Sequence, residues 1–166
     1  MEMSRLKWKE YHEELQKLKE QIPILAQKKK DAKEEGDLSE NTEYEVASAE
    51  FNKAILRQAE LEELTENSII IEPDNGPQIN LGCFVRIECL SDKSIPTRIL
   101  RVDNEGSTRA DKPYNRILGI ASPLGRAIYH GVSGKYEIQT ERGKLIYNVT
   151  KIAQNEAFKE FEKENQ

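Results

Sequence analysis

The spacing of apolar residues over the first 67 positions is the feature that most constrains the fold. Two series step by alternating threes and fours, one from residue 8 to residue 32 and one from residue 44 to residue 65. The first series is Trp8, Tyr11, Leu15, Leu18, Ile22, Leu25, Lys29 and Ala32; the second is Tyr44, Ala47, Phe51, Ala54, Gln58, Leu61 and Thr65. Heptad spacing of this kind predicts two helices that pack along a seam. The short connection around Gly36 predicts that they form an antiparallel coiled-coil hairpin, a rod on the order of 40 Å long.

Two residues of the first helix conflict with an ideal coiled coil. Pro23 lies in its interior, where proline costs about 3 kcal/mol and kinks a helix. We interpret Pro23 as a bend beyond which the seam continues; a full break at this point is the alternative. Lys29 occupies a seam position that normally carries an apolar residue.

The composition changes near residue 68. Residues 1–67 contain one proline and one glycine, whereas residues 68–153 contain five prolines and eight glycines. Short β-rich runs separated by turn residues predict six strands, at 68–72, 83–90, 97–102, 117–121, 136–140 and 144–152. Ser122 followed by Pro123 predicts the start of a short helix. The predicted fold class is therefore α+β, with a hairpin at 1–67, a small antiparallel sheet domain at 68–153 and a polar tail at 154–166. Within this tail, Asn155–Gln166 is interpreted as a frayed polar helix.

Charge and composition exclude several classes of protein. The net charge is −5, and residues 1–67 carry 11 basic and 17 acidic side chains, which gives −6. Such an acidic chain is poorly suited to wrapping duplex DNA, because binding of the phosphate backbone depends on positive charge. There is no apolar run long enough for a membrane span and no secretory signal pattern. The two cysteines, Cys83 and Cys89, are expected to be reduced core thiols, so we expect a cytoplasmic protein.

The predicted hairpin tip is strongly acidic. Seven carboxylates lie between Glu34 and Glu50 with no lysine or arginine among them. Gly36 can end one helix, and Asp37 or Ser39 can cap the next with Glu40 as the partner in a capping box, which would be a purely structural role. Alternatively, Asp37 and Glu40 offer hard oxygen ligands that suit Mg²⁺ but would hold it weakly without ligands from another molecule.

A lysine cluster precedes the tip. Lys28, Lys29, Lys30 and Lys33 form either an ordinary solvated helix face or a contact surface for a single RNA strand.

Two motifs resemble the GreA/GreB family of transcript-cleavage factors. One is the tip run from Ala32 to Tyr44, which contains Gly36-Asp37-Leu38-Ser39-Glu40-Asn41; the other is Ser122-Pro123-Leu124-Gly125-Arg126-Ala127. The position of Pro23 also matches. The resemblance implies a coiled coil followed by an FKBP-like sheet domain.

Within this family, the modest lysine cluster of the chain favours GreA-like action, which is on short backtracks. The chain departs from the family pattern at Lys29, at 103–115 and at 128–135.

The resemblance also implies roles for individual residues. RNA polymerase is the implied partner: the sheet domain docks at the rim of its secondary channel through Ser122, Pro123, Leu124 and Arg126. Within the channel, Asp37 and Glu40 share the polymerase's weakly bound Mg²⁺, and Ser39 helps orient water or the 3′ end of backtracked RNA. Gly36, Leu38, Asn41 and Tyr44 shape the tip. No cofactor is expected on the isolated chain, which we expect to be a monomer without enzymatic activity of its own.

Three other functions are compatible with parts of the sequence. A Gre-like inhibitor would occupy the same channel without supporting cleavage, although intact Asp37 and Glu40 argue against it. A prolyl isomerase would need an aromatic-lined pocket, and the sheet region has few aromatic residues. A coiled-coil adaptor would use the acidic residues only as a solvated cap.

Overall fold

The computed structural model describes residues 1–34, 42–104, 116–141 and 143–164, and the chain divides into two compact units. The hairpin unit comprises Met1 and Trp8–Ile69, and the sheet unit comprises Glu2–Lys7 and Ile70–Gln166. None of the helices in the described ranges combines the length and the apolar character needed to cross a membrane.

The hairpin unit contains two long helices, α1 (Arg5–Glu34, its first turn grouped with the sheet unit) and α2 (Thr42–Asn67). Every residue of the two predicted seams is buried or half-buried. Between residues 15 and 34, all of which are described, the seam residues are the only ones that are not exposed. The heptad interpretation is therefore confirmed.

Pro23 does not end the first helix. The helix α1 runs without interruption from Arg5 to Glu34 and contains Pro23 in its interior. The alternative of a full break was therefore wrong. Pro23 is exposed, and the neighbouring seam residues Ile22 and Leu25 are half-buried, so seam packing holds the helix together across the proline.

Cross-helix contacts show that the two helices are antiparallel. The indole Nε1 of Trp8, near the start of α1, donates a hydrogen bond to the carbonyl of Thr65 at 3.1 Å. At the other end of the hairpin, the Lys28 ammonium lies 2.8 Å from the Glu50 carboxylate. The start of one helix therefore lies beside the end of the other.

A charged clamp joins the middle of the hairpin. The Arg57 guanidinium donates to both carboxylate oxygens of Glu14, at 2.9 and 3.2 Å, and to Glu60 at 2.8 Å. It also lies 5.8 Å from the ring centroid of Tyr11. The hydrogen bond to Glu14 raises the pKa of Arg57 against the opposing effect of burial, so the clamp stays charged.

In its described residues, the sheet unit contains seven strands and two helices, most of them where the sequence predicted them. They are β1 (Glu2–Ser4), β2 (Ile69–Ile71, whose first residue belongs to the hairpin unit), β3 (Phe84–Cys89), β4 (Arg98–Asp103), β5 (Ile117–Gly119), α3 (Pro123–Ile128), β6 (Gly134–Thr140), β7 (Gly143–Ile152) and α4 (Gln154–Glu164). Strands β1 and β2 form a two-stranded sheet, and the other five form a sheet in the order β5-β4-β3-β7-β6. The strand β1 was not predicted.

The five-stranded sheet is mixed, whereas the sequence predicted an antiparallel one. Strand β3 pairs antiparallel with β4 and β7, and β6 pairs antiparallel with β7. Strands β4 and β5 are parallel, with Val102 opposite Leu118. A parallel pair needs a crossover of about a dozen residues, and the connection at 104–116 is long enough to provide it.

Two apolar clusters hold this sheet. One contains Ile79, Val85, Ile87, Val102, Leu118, Ile128 and Val149. The other contains Phe84, Ile99 and Ile152 together with Ala157 and Phe161 of α4. The predicted helix at the end of the chain is present as α4, but the prediction that it is frayed and polar was wrong, because one side of α4 is buried. Cys83 and Cys89 are free and buried, as predicted.

A buried polar network ties residues 2–7 into the sheet unit. The Ser4 hydroxyl donates to the Asp103 carboxylate and accepts a hydrogen bond from the backbone N–H of Lys7 at 3.1 Å, which caps the start of α1. The Arg101 guanidinium donates to the same carboxylate at 3.0 Å. The side chains of Arg101 and Asp103 are 1% and 0% exposed, so their ion pair lies in the interior.

Lys151 forms hydrogen bonds that hold the loop following β2. The Lys151 ammonium donates to the carbonyl oxygens of Asp74, Gly76 and Gln78 at 3.2, 2.6 and 2.6 Å. It also lies 3.1 Å from the Asp74 carboxylate. This hydrogen bond lowers the pKa of Asp74, which keeps the pair charged under mildly acidic conditions.

Candidate functional site

The predicted tip lies between the two long helices. Six of its residues fall outside the described part of the chain: Gly36, Asp37, Leu38, Ser39, Glu40 and Asn41. The described flanks end at Glu34 and begin again at Thr42, so α1 and α2 lead directly into and out of the acidic run. Tyr44, the seventh predicted tip residue, is half-buried in the first turn of α2.

The acidic residues that follow the tip have a structural explanation. Glu43 and Glu45 lie in the first turn of α2, where negative charge is stabilised by the positive end of the helix dipole. Both side chains are exposed. The helix dipole is therefore a sufficient explanation for Glu43 and Glu45. For Asp37 and Glu40, the capping interpretation and the metal-binding interpretation both apply.

The four lysines before the tip do not form a single surface. Lys28, Lys30 and Lys33 are exposed, and Lys28 pairs across the hairpin with Glu50. Lys29 is half-buried at its seam position. A contact surface has to be accessible to solvent, and among the four lysines this holds for Lys28, Lys30 and Lys33.

Lys29 faces aromatic rings inside the seam. Its ammonium lies 5.2 Å from the ring centroid of Phe51 and 6.0 Å from that of Tyr44. A cation over a ring face is attracted by the ring quadrupole, by about 0.5–1 kcal/mol at partly exposed sites. This attraction explains how a lysine is accommodated where the heptad pattern calls for an apolar side chain.

The second motif folds as a capped helix. The Ser122 hydroxyl accepts from the backbone N–H of Gly125 at 3.1 Å and donates to the carbonyl of Gly119 at 2.7 Å. Pro123 occupies the first turn of α3, where its missing N–H is harmless. A Cβ on Gly125 would lie 2.0 Å from the Gly119 carbonyl oxygen, so glycine is required for α3 to approach β5 this closely.

The same motif also presents Pro123, Arg126 and Ala127 to solvent. Leu124 packs against the first apolar cluster of the sheet, and Ser122 is occupied in capping. Pro123 and Arg126, in contrast, are exposed on α3. Of the four predicted docking residues, Pro123 and Arg126 therefore have exposed side chains, whereas Ser122 and Leu124 hold the helix that carries them.

A groove on the hairpin was not predicted from the sequence. It has a volume of about 770 Å³ and is lined by Ile24, Gln27, Lys28, Asp31, Ala32, Thr42, Glu43, Val46 and Ala47. We call it the Ile24–Val46 groove. Ile24 and Val46 lie outside the heptad seam, which was the sign in the sequence that apolar surface would be left uncovered at this level of the hairpin.

A second cavity, of about 990 Å³, lies in the sheet unit. Its lining combines the loop at 73–77 with residues 151–155 and two aromatic side chains, Phe84 and Phe158. Lys151 is one of the lining residues, and its ammonium donates to the carbonyl oxygens of Gly76 and Gln78. The cavity is thus bounded on one side by the loop at 73–77, which is held by hydrogen bonds from Lys151, and on the other side by α4.

The described residues do not assemble a metal site of their own. Across 1–34, 42–104, 116–141 and 143–164, no group of three histidine, cysteine, aspartate or glutamate residues is arranged to hold a metal ion. Asp37 and Glu40, the predicted metal ligands, lie outside these ranges.

Comparison with known proteins identifies relatives along most of the chain. Residues 1–70 match a protein family described as transcription elongation factor, N-terminal (GreA_GreB_N). The chain is 33% identical over 149 residues to transcription elongation factor GreA of Lachnoclostridium phytofermentans, covering 87% of this chain and 89% of that protein. It is 30% identical over 141 residues to the GreA of Thermosipho africanus, covering 84% of this chain and 87% of that protein.

Among solved structures, the chain is similar to GreA factor homolog 1 of Thermus thermophilus. The two chains are 22% identical, and the match covers 90% of this chain and 96% of the other with a TM-score of 0.42.

Proposed function

Because this chain belongs to the GreA/GreB family of transcription elongation factors, we propose that it binds RNA polymerase and stimulates the polymerase's own cleavage of backtracked RNA. The observation that carries the proposal is the acidic run at residues 36–41, placed between two long antiparallel helices. A rod of this kind can carry carboxylates into the secondary channel of the polymerase while the sheet unit stays at the rim. The factor acts as a monomer and releases arrested complexes.

Asp37 and Glu40 are the proposed catalytic residues. Their carboxylate oxygens are the hard ligands that Mg²⁺ prefers, so the donor set fits the weakly bound Mg²⁺ of the polymerase. When bound there, Mg²⁺ stabilises negative charge at the phosphate under attack. Two carboxylates alone hold the ion poorly, so the isolated chain is expected to have no nuclease activity. Ser39 lies between them and can hydrogen-bond to water or RNA.

The remaining predicted contacts divide between the two units. Lys28, Lys30 and Lys33 are the proposed RNA contacts, because they are exposed near the tip. Lys29 is not retained among them, since its ammonium faces the rings of the seam. On the sheet unit, Pro123 and Arg126 are the proposed contacts with the channel rim.

The test is transcript cleavage in stalled, backtracked elongation complexes. The wild-type factor should shorten the RNA, and the length of the released fragment reports whether it acts on short or long backtracks. Replacing Asp37 by alanine should reduce stimulation by roughly 100-fold or more, because it removes an oxygen ligand at the centre of charge development. The variant should still bind polymerase and compete with the wild-type factor.

Two outcomes would contradict the proposal. Normal stimulation of transcript cleavage by the Asp37→Ala variant would show that the Asp37 carboxylate has no catalytic role. Binding of the wild-type factor without any cleavage would instead support the inhibitor alternative.

A further inference from the structure

The Ile24–Val46 groove lies on the hairpin next to the two helix ends that flank the tip. Its floor is formed by Ala32 and Ala47, which are both buried seam residues. Elsewhere the seam is filled mainly by leucine, isoleucine and aromatic side chains. Two small side chains at this level therefore leave a depression that a larger seam residue would fill.

Two large apolar side chains flank this depression. Ile24 of α1 is 68% exposed and Val46 of α2 is 50% exposed. A single exposed apolar residue is ordinary on a protein surface. Here, one from each helix lines the same groove, which produces a concave apolar surface on the hairpin.

The rim of the groove is acidic. It carries the carboxylates of Asp31 and Glu43, whereas Lys28, the one cationic side chain among the lining residues, is paired with Glu50. A second copy of the chain is disfavoured as the occupant, because residues 1–67 carry 11 basic and 17 acidic side chains, a net charge of −6.

We propose that the groove binds a segment of RNA polymerase that presents a nonpolar side chain next to a basic one. The nonpolar side chain packs over Ala32 and Ala47 between Ile24 and Val46, and the basic one faces Asp31 and Glu43. This inference rests on the proposed function, which places this end of the rod inside the polymerase. Thr42 and Glu43 of the groove lining directly follow residues 36–41 in the sequence.

The test compares a double variant, Ile24→Ser with Val46→Ser, with the control Leu56→Ser. Leu56 is 72% exposed on the same hairpin and does not line the groove. Serine has a helix propensity close to that of isoleucine and valine, so the double variant should keep its thermal unfolding curve. The factor concentration that gives half-maximal cleavage should rise about tenfold, because burial of two apolar side chains is lost. The rate at saturation and the control should not change.

Three results would overturn the inference. One is an unchanged half-maximal concentration in the double variant. Another is a lower rate at saturation with unchanged affinity, which would assign the groove to catalysis. The third is a wild-type dimer in analytical ultracentrifugation that the double substitution dissociates, which would make a second copy the occupant.

Direct binding keeps this inference separate from the proposed function. Labelled factor is titrated with core polymerase, with and without the groove substitutions. If the wild-type factor fails to stimulate cleavage but binds more tightly than the double variant, the cleavage proposal fails and the groove remains a polymerase contact. If stimulation occurs and both proteins bind equally, the groove proposal alone fails.

Discussion

The hairpin unit and the sheet unit bury their side chains in different ways. Among the twelve largest side chains that are under 2% exposed in the described residues, Leu61 is the one that belongs to the hairpin. The others, which include Phe84, Arg101 and Asp103, belong to the sheet unit. The hairpin is held by a single line of mostly half-buried contacts, whereas the sheet is packed on both faces.

The difference shows how the two units are suited to separate tasks. In the hairpin, a large share of the residues faces solvent, so the chain can display carboxylates, lysines and a groove along its length. The sheet unit places even an ion pair in its interior, and its short helix α3 exposes Pro123, Arg126 and Ala127. Substitutions should therefore change surface recognition in the hairpin and stability in the sheet unit.

The strongest test of this contrast compares one ion pair from each unit. Asp103→Asn removes a charge partner of Arg101 in a fully buried pair, which should lower the free energy of unfolding by about 3–5 kcal/mol. Glu14→Gln weakens the Arg57 clamp, where the two side chains are 33% and 24% exposed, and should cost about 0.5 kcal/mol. Urea unfolding measures both values.

Hydrogen exchange then assigns each loss to a unit. Peptides from β4 should lose protection in the Asp103→Asn variant, and peptides from α2 should change little in the Glu14→Gln variant. Similar decreases in the free energy of unfolding in the two variants would contradict the contrast, because they would mean that burial does not determine how much each ion pair stabilises the protein.

A smaller effect is expected from the last helix. Phe161 is 4% exposed and packs in the second apolar cluster with Phe84, at a ring-centroid distance of 6.2 Å. Phe161→Ala should cost about 3 kcal/mol, because it removes a buried aromatic side chain from the sheet core. The matched control is Glu162→Ala, an exposed position on the same helix. A Phe161→Ala variant as stable as that control would restore the prediction of a frayed tail.

Periodicity predicted the hairpin almost completely. The seam positions from Trp8 to Thr65 depend on local spacing alone, so they could be read from the sequence, and the strands followed from short β-rich runs between turn residues. Strand β1 and the packing of α4 were missed because both depend on distant partners. Ser4 is fixed by Asp103, and Phe161 is fixed by Phe84.

The candidate site was only partly predictable, for a related reason. The tip and the second motif were found as runs of neighbouring residues. The sequence could not separate Pro123 and Arg126 from Ser122 and Leu124, because exposure depends on how α3 packs against β5. The Ile24–Val46 groove combines residues from two helices and arises where alanines face the seam, so no single run of the sequence marked it.

The smallest predicted effect concerns Lys29, the charged residue in the hairpin seam. Lys29→Met removes an ammonium that lies 5.2 Å from the centroid of Phe51, but it keeps a flexible side chain that can contact the same rings. A charged residue at a seam position lowers coiled-coil stability, so the substitution should stabilise the hairpin by about 0.5–1 kcal/mol. Thermal unfolding followed by the fluorescence of Trp8, the single tryptophan, should shift upward by roughly 4 °C.

Lys30→Met is the matched control for this substitution, because the Lys30 side chain is 66% exposed. It should leave the transition within experimental error. If Lys29→Met lowers the transition, the attraction between the ammonium and the two rings outweighs the cost of placing a charge in the seam. Lys29 would then have to be counted as a stabilising contact of the hairpin next to its tip. The two units would then differ less than proposed, because each would be stabilised by a charged group in its interior: Lys29 in the hairpin seam and the ion pair of Arg101 and Asp103 in the sheet unit.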